Sequence, residues 1–194
     1  MKKPYVIAIN AVSGGGKTAL AKLLASSLPK ASLFCFDDLD ASNLHPADFY
    51  EWTKRGSDLL EFDCQGIAEA VGNEIAGGSS EFIVLDYPFG RDHPRFQNQI
   101  DLSVFIDTPL DIALARRVLR DHLEIPDISA EERLKGLKGE MSHYIDKARH
   151  VYLGACRRKD TCDLVLDGWT SLEKLRDKIV AHIMAKQGIQ VFNQ

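Results

Sequence analysis

The segment from Tyr5 to Leu28 decides the fold and reads YVIAINAVSGGGKTALAKLLASSL. It opens on a short apolar run, passes through three consecutive glycines, and closes on leucines spaced three and four residues apart. Short apolar runs are typical of buried strands, and the leucine spacing gives a helix one apolar face. The sequence therefore predicts a strand, a glycine-rich loop and a helix, in that order.

The glycine-rich loop fits the phosphate-loop pattern from Ala11 to Thr18, with alanine where the strict pattern has its first glycine. Glycines let consecutive backbone N–H groups turn inward around a phosphate, and the following helix points its positive end at the same place. Lys17 would reach the β- and γ-phosphates, and the Thr18 hydroxyl would ligate Mg²⁺. The predicted nucleotide-binding residues are Ser13, Gly14, Gly15, Gly16, Lys17, Thr18 and Ala19. The alternative, a glycine turn in a dinucleotide-binding protein, does not explain why Lys-Thr follows at once.

Apolar runs and helical patterns alternate along the rest of the chain. The predicted strands are Tyr5–Asn10, Ser32–Phe36, Glu81–Asp86, Leu102–Asp107 and a shorter one at Leu164–Leu166. Apolar stripes predict helices after Thr18, over Leu134–Tyr152 and over Leu172–Ile183. This alternation predicts a doubly wound α/β fold with a mostly parallel sheet, in which ligands bind beyond the carboxyl ends of the strands.

Composition narrows the class of protein. The 194 residues fit a single domain spanning 1–194, and the net charge of −4 argues against a broad nucleic-acid surface. Four cysteines without a CxxC pair indicate reduced thiols. No stretch approaches the ~18 apolar residues that a membrane span requires. We expect a cytoplasmic protein without nucleic-acid or membrane partners; assembly with further copies of the chain stays open.

The use of the bound triphosphate depends on residues outside the loop. A GTPase would need Asn-Lys-x-Asp to read guanine, and this sequence has none. Large mechanical ATPases carry further domains for which the chain has little room. A kinase of a small hydroxyl compound needs a phosphate cradle, Mg²⁺, a base near the acceptor, and arginines over the transferred group. The sequence offers candidates for all four.

Two aspartates follow predicted strands at the ligand-binding edge. Asp37, in LFCFDDLD, could accept the proton of an attacking hydroxyl, or it could cap a turn or the next helix. Asp86 ends the strand FIVLD and could hold Mg²⁺ directly or through water, or it could be an ordinary residue at a strand end. Spacing alone leaves both alternatives open.

The arginine candidates lie in DTPLDIALARRVLRDH. On a helix, Arg116, Arg117 and Arg120 share one arc of about 100°. Such a face suits a lid, at approximately residues 116–140, that closes over phosphates. The alternative is a solvated basic face that makes local ion pairs, but few acidic residues lie near enough to pair with it.

Taken together, these motifs resemble the uridine kinases and their neighbours, the nicotinamide riboside kinases. The resemblance is carried by SGGGKTALAKLLASSLPKASLFCFDD, by FIDTPLDIALARRVLRDH and by HYIDKARHVYLGACRRKDTCDLVLDG. It implies a three-layer P-loop kinase fold with a five-stranded sheet, helices on both faces and an arginine-bearing lid. It also implies ATP with Mg²⁺ as phosphoryl donor and a nucleoside 5′-hydroxyl as acceptor. The implied catalytic residues are Asp37, Lys17, Arg116, Arg117 and Arg120, and the implied metal ligands are Thr18 and Asp86.

The acceptor site is less clearly defined by sequence. Asp63, in LEFDC, resembles the acid that holds the ribose hydroxyls in nicotinamide riboside kinases, and Tyr87 and Arg91 are further candidates for substrate binding. Asp86-Tyr87-Pro88 stands where uridine kinases have a Glu-Gly pair, and the hairpin that contacts the pyrimidine in those enzymes is missing. Residues that could replace it are Phe49, Tyr50 and Trp52 together with the segment YPFGRDHPRF, which offers aromatic faces and Arg91 or Arg95. A kinase of pantothenate, a sugar phosphate or an antibiotic therefore stays open, as does a regulatory P-loop ATPase.

Overall fold

A computed structural model describes residues 3–39 and 45–187. Its strands are β1 (Tyr5–Asn10), β2 (Ala31–Cys35), β3 (Phe82–Asp86), β4 (Leu102–Asp107) and β5 (Leu164–Asp167). They form one sheet in the order β2-β3-β1-β4-β5, and every neighbouring pair is parallel. The carboxyl ends of all five strands therefore lie along the same edge.

Helices follow the strands in the predicted alternation. They are α1 (Lys17–Ser27), α2 (Phe36–Leu39), α3 (Phe49–Lys54), α4 (Gln65–Gly77), α5 (Leu110–Val118), α6 (Ala130–His143), α7 (Arg149–Cys156) and α8 (Leu172–Gln187). Single 3₁₀ turns occur at Leu59–Glu61, Gly90–Asp92 and Arg157–Thr161, and π-helical turns at Leu119–Leu123 and Tyr144–Ala148. Within the described ranges, no helix is both long enough and apolar enough to cross a bilayer.

Two apolar cores cover the two faces of the sheet. On one face, α1 and α8 pack against the strands, with Leu20, Leu24 and Ile179 fully buried. On the other, α4 packs together with a group of aromatic side chains that includes Trp52 and Tyr87. Both faces of the central strands are therefore dry, which explains why their sequences show continuous apolar runs. The predicted α/β fold, with a parallel five-stranded sheet and helices on both faces, is confirmed.

The strand boundaries differ from the prediction mainly at β2. The strand ends at Cys35 rather than Phe36, and Phe36 opens the short helix α2. Asp37 and Asp38 fall in the first turn of that helix, where its dipole favours negative charge. The Phe36 ring packs edge-on against Tyr87 and Phe89.

The predicted apolar stripe over Leu134–Tyr152 is only partly buried. Leu134 and Ile145 are 70% and 77% exposed, whereas Tyr144 and Ala148 are buried. A π-helical turn at Tyr144–Ala148 changes the helical phase between α6 and α7, so a stripe drawn at constant phase does not continue. In addition, α6 lies mainly against the neighbouring π-helical turns rather than against the sheet.

Candidate active site

The glycine-rich loop has the backbone that a phosphate cradle requires. Gly14 and Gly16 have φ angles of +79° and +97°, and α1 begins at Lys17 directly after them. Ala11 is not among the residues with positive φ, so alanine is tolerated there. A Cβ on Gly15 would lie 2.7 Å from the Ala11 Cβ. The same Cβ would lie 2.8 Å from the Val12 carbonyl oxygen, so the middle position of the loop must stay glycine.

Contacts from the neighbouring strand and helix hold the loop. The Thr108 hydroxyl, just beyond β4, donates a hydrogen bond of 2.9 Å to the Gly15 carbonyl. Gly14 lies so close to α5 that a Cβ there would be 2.3 Å from the Ala113 carbonyl oxygen and 2.9 Å from Arg117 Cγ. The loop is thus held in position against α5, the helix that carries the three arginines.

Replacing Gly14 by alanine should destabilise the protein. Alanine would have to adopt a left-handed backbone conformation, and its Cβ would clash with α5. We therefore expect the free energy of unfolding to fall by about 2 kcal/mol or more. The melting temperature should fall by roughly 4–8 °C, measured by thermal unfolding followed by circular dichroism. Gly72→Ala in α4 is the matched control, since a Cβ there meets nothing within 4 Å; its melting temperature should not fall. Equal melting temperatures for wild type and Gly14→Ala would contradict the described loop geometry.

Lys17 and Asp86 meet at the centre of the site. The register of β1 and β3 aligns Ile9 with Asp86, which brings the aspartate to the base of the loop. Lys17 Nζ lies 3.1 Å from Asp86 Oδ1, and the two side chains are 16% and 4% exposed. The lysine therefore has a carboxylate as partner within the cradle.

The oxygen donors around this pair fit a magnesium ion. Asp86 Oδ1 is buried and accepts no hydrogen bond from the part of the chain that the structure describes, although Lys17 Nζ lies 3.1 Å away. Thr18, which follows Lys17 in α1 and carries a hydroxyl oxygen, lines the cleft. Among the described residues there is no group of three or more His, Cys, Asp or Glu side chains that could hold a metal ion. Mg²⁺ does not need one, because it commonly takes one or two protein oxygens and completes its shell with water and phosphate.

A cleft of about 970 Å³ opens over the loop and collects most of the predicted catalytic residues. Lys17, Asp37, Arg116 and Arg120 line it. So do the predicted nucleotide-binding residues Ser13, Gly14, Gly16, Thr18 and Ala19. The exposed Asp37 stands in the first turn of α2, at the edge where the strands end.

Two of the three arginines face the cleft. A Cβ on Gly16 would lie 3.8 Å from Arg116 Nη1, so that guanidinium reaches the start of α1. Arg120 holds Asp121 through two hydrogen bonds of 2.6 and 2.9 Å. This contact raises the pKa of Arg120, with a smaller contribution from Asp37. Both arginines are exposed enough to exchange their present contacts for a phosphate.

Arg117 lies elsewhere. It is buried, pairs with Glu140 of α6 at 2.6 Å, and packs against the rings of Tyr144 and Tyr152. One residue along a helix is a rotation of about 100°, which turns this side chain away from the cleft. The structure therefore does not bring Arg117 together with Arg116 and Arg120; it joins α5 to the helix pair α6 and α7.

The three predicted substrate-binding residues do not line the cleft. Asp63 accepts a hydrogen bond from the Gln65 backbone N–H at the start of α4. Tyr87 is fully buried among aromatic rings, and its hydroxyl contacts the Cys64 sulfur.

Arg91 is held at the other end of the strands. It donates to the carbonyls of Ile100 and Asp101 and pairs with Asp163 at 2.7 Å. Those partners directly precede β4 and β5, whereas the cleft lies at the carboxyl ends of the strands. In the segment that follows β3, Tyr87 thus packs in the apolar core, and Arg91 holds the residues that precede β4 and β5.

An aromatic slot adjoins the phosphate cradle, and only part of it could be anticipated. It consists of the cleft-lining side chains Phe36, Phe49, Trp52, Phe62 and Phe89. The ring of Phe49 stacks on that of Phe62 with their centroids 5.9 Å apart, and the ring centroids of Phe62 and Phe89 are 4.6 Å apart. Phe49 is 42% exposed and stands at the entrance. The sequence indicated Phe49, Trp52 and, within YPFGRDHPRF, Phe89, whereas Phe62 was not anticipated.

The opposite wall was not predicted. It is formed by α7 and its flanking turns, which contribute Lys147, Val151, Tyr152, Ala155 and Arg158. Burial raises the pKa of Tyr152 above its usual value. Lys147 crosses the cleft to pair with Asp48, the N-cap of α3, at 2.9 Å. The residues of this wall fall within HYIDKARHVYLGACRRKDTCDLVLDG, one of the segments that carry the resemblance, but only the fold shows that α7 lies over the strand ends.

Known uridine kinases resemble the chain over most of its length. The uridine kinase of Streptococcus agalactiae serotype V is 27% identical over 176 residues, covering 78% of this chain and 80% of that enzyme. The uridine kinase of Streptococcus pyogenes serotype M5 is 27% identical over 149 residues, covering 64% of this chain and 71% of that enzyme. No protein-family model matches the sequence.

Solved structures share the fold at lower sequence identity. A Thermus thermophilus protein superposes with a TM-score of 0.59 at 17% identity, covering 96% of this chain and 99% of its own. The tunicamycin resistance protein of Deinococcus radiodurans superposes with a TM-score of 0.53 at 15% identity, covering 93% of this chain and 96% of its own. At these identities the likeness concerns the fold alone.

Fold, loop and relatives together define the class: the chain has the three-layer P-loop kinase fold, and its relatives support a small-molecule kinase. Among such kinases, the resemblance is to the uridine kinases, which confirms the resemblance predicted from the sequence.

Proposed function

We propose that the protein transfers the γ-phosphate of ATP, with Mg²⁺, to a hydroxyl group of a nucleoside or a similar small molecule. One observation carries the proposal. The phosphate loop, the Asp37 carboxylate and two arginines all line the same cleft, and the aromatic slot adjoins them. This is the set of groups that phosphoryl transfer to a small hydroxyl compound requires.

Each group has a role in the proposed reaction. Asp37 accepts the proton of the attacking hydroxyl, since its carboxylate lines the acceptor side of the cleft. Lys17 and the loop N–H groups hold the β- and γ-phosphates. Arg116 and Arg120 stabilise the charge that spreads over the transferred group. Arg117 keeps α5 and α6 together through Glu140, so its effect on the reaction is indirect.

The magnesium ion would be held by Thr18 and Asp86, directly or through water. When bound, it would neutralise charge on the β- and γ-phosphates. Asp86 also lies 3.1 Å from Lys17 Nζ. The lysine is thereby kept at the cradle, within reach of an incoming triphosphate.

The aromatic slot supports an acceptor that contains a flat ring. Aromatic side chains favour stacked or edge-on contacts with another ring, and Phe49 at the entrance presents an accessible face. The slot is next to Asp37 through Phe36, its direct neighbour in α2. A ring held there would place a sugar hydroxyl toward the carboxylate and the phosphates.

An acceptor screen tests the proposal. Purified protein is incubated with ATP and Mg²⁺, and ADP release is coupled to NADH oxidation. Nucleosides form one set of acceptors, and pantothenate, sugar phosphates and hydroxyl-bearing antibiotics form the other. We expect nucleosides to stimulate ADP release, with the 5′-phosphate identified by mass spectrometry. Stimulation only by the second set would reassign the acceptor, and ADP release indifferent to every acceptor would favour a regulatory ATPase.

A further inference from the structure

A half-buried arginine lines the cleft beside the aromatic slot. Arg158 lies in the 3₁₀ turn after α7, lines the cleft, and holds its guanidinium 5.2 Å from the centre of the Phe89 ring. Its neighbour Arg157 is exposed and does not line the cleft. Of these two adjacent arginines, only one is directed inward.

Arg158 differs in its partners from two other arginines that are at least half-buried but lie outside the cleft. Arg91 and Arg117 pair with Asp163 and Glu140 at 2.7 and 2.6 Å. Within residues 3–39 and 45–187, no carboxylate lies within 4.0 Å of the Arg158 guanidinium, and no hydrogen bond leaves it. Burial lowers the pKa of Arg158, although a more distant Asp92 acts in the opposite direction. A guanidinium partly removed from water without a counter-charge carries a cost that an anionic ligand would offset.

The position favours the acceptor rather than the nucleotide. The ring centroid of Phe89 lies 4.6 Å from that of Phe62 and 5.7 Å from that of Phe36. Since Arg158 packs on the Phe89 ring, it lies against the wall of the aromatic slot. The phosphate end already has its own cations, namely Lys17, Arg116 and Arg120. Lys147 also lines the cleft, but it pairs with Asp48 at 2.9 Å, which leaves Arg158 as the cation proposed for a group attached to the ring in the slot.

We propose that Arg158 determines acceptor specificity and that the acceptor carries a carboxylate, or a comparable anionic group, on its flat ring. This inference rests on the proposed kinase function. A guanidinium fork matches a carboxylate with two parallel N–H···O bonds, and the Phe89 face supports the cation from behind. A neutral acceptor would leave this half-buried charge unpaired, so it should be used less well by roughly 10- to 100-fold.

Matched acceptors test this inference. The pairs are uridine with orotidine, and nicotinamide riboside with nicotinic acid riboside; within each pair the members differ at the ring carboxylate. We expect wild type to show a kcat/KM at least about 10-fold higher for the acid of one pair. Arg158→Gln should lose that preference through a higher KM for the acid, with the KM for ATP unchanged. Arg157→Gln is the control and should keep the preference.

Several outcomes would overturn the inference. If wild type uses both members of each pair equally well, the role of Arg158 is overturned but the proposed kinase function is not. The same holds if the preference for the acid survives in Arg158→Gln. A rise in the KM for ATP instead of the acceptor would assign Arg158 to the phosphates. If Arg158→Gln does not fold, Arg158→Lys keeps the charge without the fork and should retain part of the preference. Absence of ADP release with every hydroxyl acceptor would overturn the proposed function itself.

Discussion

Asp37→Asn is expected to lower acceptor-dependent turnover by about 10²–10⁴-fold, the usual contribution of a general base. Asparagine keeps the size and the hydrogen-bonding shape of the side chain, but it cannot take the proton of the hydroxyl. ATP affinity should be unchanged, because Asp37 lies in α2 on the acceptor side and makes no described contact with the phosphate loop. The measurements are kcat in the coupled assay and nucleotide affinity by titration calorimetry.

The neighbouring carboxylate supplies the control. Asp38 is also exposed in the first turn of α2, but it does not line the cleft. Asp38→Asn removes the same charge from the same helix end, so any effect through the helix dipole is shared by both variants. Turnover near wild type in Asp38→Asn with a large loss in Asp37→Asn would identify the base. Equal losses in both, or a parallel loss of ATP affinity in Asp37→Asn, would show that Asp37 acts on structure.

The fold could be predicted because its signals are local. β1 and β4 were predicted at the observed bounds, since continuous apolar runs leave little choice of boundary in a strand buried on both faces. β2 was displaced by one residue, because Phe36 is as apolar as the strand before it and packs on Tyr87 and Phe89 from a helix. The phosphate loop was equally clear, since its function resides in consecutive residues.

The acceptor side could be predicted only in part because its residues come from separate segments. Arg117 differs from Arg116 by one position, and only the packing of α6 and α7 shows that Arg117 faces Glu140. Asp63 and Arg91 had the right chemistry, yet local turns and strand ends use their polar groups. Arg158 falls within HYIDKARHVYLGACRRKDTCDLVLDG, but its proximity to Phe89 depends on how α7 crosses the strand ends.

Lys17→Ala should impair both nucleotide binding and transfer. Lys17 serves the bound triphosphate as well as the transition state, so KM for ATP should rise and kcat should fall, the latter by about 10²–10³-fold. Lys22→Ala is the control, since Lys22 is exposed on the same helix and does not line the cleft. Undiminished turnover in Lys17→Ala would contradict the role assigned to the lysine.

The ion pair with Asp86 predicts a second effect of the same substitution. Without Lys17, the buried Asp86 carboxylate has lost the cation that lies 3.1 Å from it. We expect the free energy of unfolding of the nucleotide-free protein to fall by about 2 kcal/mol. The loss is smaller than for a fully buried ion pair, because Lys17 is partly solvated. The melting temperature should fall by roughly 4–8 °C. Adding Asp86→Asn to Lys17→Ala removes the unpaired charge and should recover most of this loss without recovering activity. A double variant no more stable than Lys17→Ala would show that the two side chains do not depend on each other in the free protein.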